Sequence, residues 1–109
     1  MTSTAAAFLA AGALRRASVT VCGHLVHVRE MSVLERGQFL TLARDNPPMM
    51  PVHLVRLCVT DEAGVPLFGL ADEPAIAAMR PEFTDGVARH VMELSGMIEQ
   101  DGGDAEKKS

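Results

Sequence analysis

Cys22, His24 and His27 fall within one short apolar stretch, Val19 to Met31, reading VTVCGHLVHVREM. Thiolates and imidazoles bind transition metals and also pair as nucleophile and base, so this is the first place to look for chemistry. A structural zinc site needs four such ligands and a catalytic one usually three. The chain offers Cys58 as its one further cysteine, far from Cys22 and in no C-x-x-C pair. A second group, Asp61, Glu62, Asp72 and Glu73, holds the clustered carboxylates. Turn formation and helix capping account for these four, with Asp72 as an N-cap before an acidic first turn at Glu73-Pro74. There is no Gly-rich phosphate loop, nucleophile elbow or H-E-x-x-H. The reading is of a chain with no catalytic residue, no metal and no cofactor, and not an enzyme.

The element that positions the cysteine and histidines is a β-hairpin over residues 18–30. With Gly23-His24 as a type II′ turn, Val21 faces Val26 and Val19 faces Val28, and all four valines share one face. Cys22 and His27 are then diagonal neighbours on the opposite face. That is a solvated or partner-facing surface with polar decoration.

Composition narrows the class. The chain has 109 residues, enough for one domain with a core of its own, and 48% of them are hydrophobic. Two widely spaced cysteines suit a reducing cytoplasm. The net charge is −4, there is no Trp or Tyr, and the arginines are scattered, which argues against nucleic acid as a partner. The apolar start AAAFLAAGAL has no basic residues before it and is too short to span a bilayer. It reads as a helix over residues 3–17, capped by Ser3 or Thr4 and weakened by Gly12.

After the hairpin, helices occupy residues 32–99. Ser32-Val33-Leu34-Glu35 is a capping box opening one with Leu34, Phe39, Leu42 and Ala43 on its apolar side. DNPPMMP, Asp45 to Pro51, stops it as a rigid connector. VHLVRLCVT, Val52 to Thr60, fits a buried helix entered from Pro51 with a partly exposed His53, and its β-branched residues also suit a strand. A turn with a short extended piece follows at Thr60 to Gly69, then a short helix from Pro74 to about Met79. The last helix starts near Pro81 and carries Phe83, Val87, Val91, Leu94 and Ile98 along one stripe. Residues 100–109, QDGGDAEKKS, read as a disordered tail. The fold class is thus α+β: a small, mostly helical domain with one N-terminal β-hairpin.

The positive indication is binding. Seven methionines in 109 residues is high, and these side chains either line adaptable apolar surfaces or fill gaps in a core poor in aromatics. The candidate partner-binding residues are Phe8, Leu9, Met49, Met50, Met92 and Met97, on the terminal helices and the connector.

The order of these features resembles the tail assembly chaperones of long-tailed bacteriophages and prophages. The residues carrying the resemblance are Arg29-Glu30 at the end of the hairpin, the capping Ser32, Cys58 in an apolar helix, VTDEAGVPLF from Val59 to Phe68, and Leu94-Ser95-Gly96 in the last helix. It covers about Ala5 to Met97. The connector NPPMMP and the Ala/Gly-rich first helix stand outside that pattern. The resemblance implies a non-enzymatic protein of the bacterial cytoplasm that binds the tape measure protein, keeps it soluble and helps recruit tail tube subunits, with a homo-oligomer as one form. In many members a frameshift near the end appends a second domain, and Lys107-Lys108 is compatible with a slippery site. The alternative from another class is a small structural or regulatory adaptor, a tail or head-tail component that stays in the particle.

Overall fold

The computed structural model describes residues 4–98. The expected tail and the capping role for Ser3 lie outside them. The hairpin forms from β1 (Arg16–Val21) and β2 (His24–Arg29). Its turn is Cys22-Gly23 rather than Gly23-His24, with φ of 49° and 81°, the signature of a type I′ turn. The pairs are Val19 with Val26, Ser18 with His27 and Ala17 with Val28. Relative to the expected pairing this is a two-residue shift. Side chains alternate with period two, so the valines stay on one face either way. Turn geometry, and not burial, decides between the two registers: a type I′ turn follows the right-handed twist of the strands and places Gly23 second.

A third strand, β3 (Val59–Thr60), extends the sheet in the order β1-β2-β3, pairing His27 with Thr60 and Val28 with Val59. Two residues sufficed because the turn behind them is well fixed. Asp61 Oδ1 accepts the backbone N–H groups of Ala63 and Val65, Leu67 N donates to Val59 O, and Gly64 takes φ 91°. The ambiguous run is therefore both things: helix to Cys58, strand from Val59.

The described residues also form five α-helices. α1 (Ala5–Ala11) is capped by Thr4, whose hydroxyl accepts from Ala7 N at 3.1 Å. It stops at Gly12, not at residue 17, because the chain is already committed to the sheet there. Arg15 N donates to Glu30 Oε1 at 2.8 Å, and β1 starts one residue later. α2 (Val33–Asp45) opens on the expected capping box: Glu35 N to Ser32 Oγ is 3.1 Å and Ser32 N to Glu35 Oε1 is 3.0 Å. A 3-10 turn at Pro47–Met49 leads into α3 (Met50–Cys58). α4 (Glu73–Ala77) is short, and α5 (Pro81–Leu94) closes with Gly96 at φ 73° and Met97 N donating to Met92 O, a Schellman ending.

The core sits where α5 packs against the hairpin strands β1 and β2, with α3 packed on α5 and leading into β3. Val28, Phe39, Leu54, Cys58, Val87 and Val91 are its most deeply buried side chains. Of the stripe expected on the last helix, Val87 and Val91 are core, Phe83 and Leu94 are half-buried, and Ile98 lies beyond the helix end. On α2 only Phe39 is buried, while Leu34 points outward.

Candidate partner-binding surfaces

The residues that suggested chemistry are dispersed or already engaged. Cys22 is exposed in the hairpin turn, away from His27, whose Nδ1 lies 2.9 Å from Ser18 Oγ across the strands. His24 sits edge-on to Phe83, ring centroids 6.0 Å apart. Cys58 is fully buried, and burial pushes its thiol up to about 12, which removes it as a nucleophile. His53 is buried rather than partly exposed: its Nδ1 is 3.1 Å from Glu73 Oε2, which also accepts from Arg56 Nε at 2.6 Å. Burial works to raise the Glu73 carboxyl, but the bonds from Arg56 and His53 outweigh it and hold it below its ordinary value. Asp61 organises its turn, and Asp72 Oδ2 accepts the Gly69 N–H at 2.8 Å instead of capping α4. Among the described residues no three His, Cys, Asp or Glu side chains are grouped as a metal ion would require, and no described helix is long and apolar enough to cross a membrane.

The residues that carried the family resemblance hold the fold together. Arg29 forms two 2.7 Å bonds to the carboxylate of Glu35 and donates to Leu57 O at 2.8 Å, joining β2, α2 and the last turn of α3. The guanidinium holds Glu35 well down, at about 2, even though partial burial works the other way. Glu30 grips Arg15, whose guanidinium also reaches Leu94 O. Ser95 Oγ accepts from Met31 N at 3.4 Å, so the Leu-Ser-Gly segment docks on the end of the hairpin.

Among the described residues, three apolar surfaces bear on the expected binding positions or form a groove. The first is α1, on which every residue is exposed, Phe8 and Leu9 by 74% and 72%. The second is a groove of about 410 Å³ between the connector and α5, into which Met50 and Met92 both project beside Pro48, Leu54 and Ile98. The structure thus joins two of the expected methionines across a single groove, while Met49 and Met97 are half-buried against the core.

The third surface was not expected. A groove of about 450 Å³ opens beside β2, lined by Leu25, Leu67, Phe68, Met79, Phe83 and Val87. It continues past Phe83 to His24 and Cys22. β3 pairs only with His27 and Val28, so His24 to Val26 have no strand on that side and form one wall. Its lining comes from the hairpin, the turn after β3 and the start of α5, which is why no local pattern in the sequence reveals it. The one hint was Leu25, a large apolar residue on the face opposite the valines.

No protein-family model matches the sequence, and no curated protein does. A solved structure does: the tail assembly chaperone of bacteriophage HK97, at a TM-score of 0.54 and 19% identity, over 80% of this chain and 84% of that one. The likeness is one of fold.

Proposed function

We propose that the chain is a non-enzymatic tail assembly chaperone of a long-tailed bacteriophage or prophage. In this reading it acts in the bacterial cytoplasm, binds the tape measure protein, keeps it soluble and helps recruit tail tube subunits. The observation that supports it most is the fold shared with the HK97 chaperone across most of both chains. The residues by which the sequence resembled that family include the ones that tie this fold together. The surfaces suit the task. A tape measure protein is long and rich in coiled coil, so before assembly it exposes apolar helical seams. Grooves lined by methionine, leucine and phenylalanine accept such a helix and repack around its sequence.

The test is co-expression with the long coiled-coil protein of the same tail gene cluster, followed by tagged pull-down and sizing of the soluble fraction. A client that becomes soluble and co-elutes with several copies of this chain supports the reading. A client that stays insoluble, together with recovery of this chain from finished particles, would replace it with a structural adaptor.

A further inference from the structure

We propose that the open edge of β2 binds an extended segment of a partner protein, which adds a strand beside His24 to Val26. The segment that fits has apolar residues at alternate positions and a lysine or arginine at the end that meets Asp61 and Glu62. The inference concerns how this edge binds, whichever protein supplies the segment, and does not rest on the chaperone reading.

The first observation is the state of the backbone. In a hairpin closed by a two-residue turn, the residues flanking the turn exchange hydrogen bonds, and such pairs alternate along the ladder. The bonded pairs of β1 and β2 are therefore Val21 with His24, Val19 with Val26 and Ala17 with Val28. Leu25 and His27 turn their N–H and C=O groups to the other side. His27 is paired there with Thr60, but the chain leaves the sheet at Asp61 to form its turn. Among the described residues nothing pairs with Leu25 on that side, so the ladder stands open in line with β3.

The second observation is the recess beneath that opening. A residue paired with Leu25 would point to the face opposite the valines, and its two neighbours to the valine face. On the valine face lies the groove of about 450 Å³, with the core side chains Val55, Val59 and Val87 in its lining. Two side chains the size of valine or leucine fit that volume. On the other face Leu25 is 66% exposed, and the side chain paired with it would cover it. A helix could fill the groove, but it would shut water from the Leu25 amide and carbonyl without pairing them. An extended segment fills the groove and completes the ladder together.

The third observation is charge. β3 ends at Asp61 and Glu62, and both line the groove where an added strand would abut it. Asp61 uses one carboxylate oxygen for its turn, and Glu62 has no hydrogen bond or ion pair with a described residue. Arg16 packs over Gly64 of the same turn but forms an ion pair with neither carboxylate. A basic residue of the ligand completes that end. The outlying stretches of this chain do not match: residues 99–109 hold Ala105 as their one apolar residue, and residues 1–3 read MTS.

The test is a selection from randomised dodecapeptides against the purified full-length chain, followed by calorimetric titration with synthetic copies of those enriched. They are expected to alternate apolar and polar residues and to carry lysine or arginine at one end. N-methylation should weaken binding about tenfold at the peptide nitrogen facing Leu25 and hardly at its two neighbours, which point away from β2. Glu62→Lys should turn the preference for a basic end into one for an acidic end. Leu67→Asp, at a position 54% exposed, should abolish binding while circular dichroism stays unchanged. No enrichment over the Leu67→Asp chain overturns the proposal. So do apolar residues enriched at helical spacing, binding that withstands every N-methyl group, or a basic end still preferred by Glu62→Lys. An unliganded chain whose mass rises with concentration, and does so no longer in Leu67→Asp, overturns it too, because a second copy then holds the groove. No tape measure protein enters the experiment, so its failure is distinct from failure of the chaperone reading.

Discussion

Arg29 does more for this fold than its half-buried position on a short strand suggests. Its guanidinium meets the Glu35 carboxylate along two parallel bonds and takes a third partner in Leu57 O, so one side chain fixes the angle between sheet and two helices. Glu35 is held at about 2 in the folded chain, against about 4.3 for an unperturbed glutamate. A carboxylate depressed on folding contributes stability that is complete above the unfolded value and lost as pH falls through the folded one. Glu35→Gln is accordingly expected to cost about 2 kcal/mol at neutral pH. Denaturant melts of the two proteins should converge as the pH falls from about 5 to about 2. Parallel curves over that range would mean that the pair contributes nothing through its charge. Cys22 makes an opposite case. It occupies the first position of a type I′ turn at φ 49°, where asparagine is favoured over cysteine. Cys22→Asn should therefore raise stability by roughly 0.5 kcal/mol, seen as a higher denaturation midpoint at unchanged slope.

At the scale of elements, close approach decides more than propensity does. Gly86 lies in the middle of α5, where alanine would be worth about 1 kcal/mol more to the helix. A Cβ there would sit 2.7 Å from Cγ1 of Val21, a stiff, buried side chain on β1. Gly86→Ala is thus expected to destabilise by about 1–2 kcal/mol despite the gain in propensity, and the thermal midpoint checks the sign. Elements whose determinants are local could be read directly. The capping box at Ser32, the stop at the prolines, and the Val87 and Val91 stripe of α5 all lie where the sequence placed them. What escaped depended on partners far along the chain. The hairpin register escaped because a two-residue shift leaves every valine on its face. β3 escaped because two residues following a helix carry no periodicity of their own. The length of α1 escaped because its end is set by where the chain joins the sheet, at the Arg15 contact with Glu30, fifteen residues further along. The same limit applies to the surfaces: Met50 and Met92 could be named singly, but their shared groove and the recess beside β2 are products of packing.

For the molecule as a whole, the unequal spread of burial has a thermodynamic consequence. The core runs from the hairpin through α5 to α3, and α1 adds no buried side chain to it. Backbone amides at Val28, Leu54 and Val91 should therefore exchange with solvent only on global unfolding, while those of α1 exchange almost at once in dilute protein. Removing residues 1–13 should then change the stability of dilute protein by no more than about 0.5 kcal/mol, as for any surface alteration that breaks no packing. A large loss of stability on truncation would show instead that α1 is docked within its own chain, and slow exchange of its amides in the intact protein would agree with that outcome.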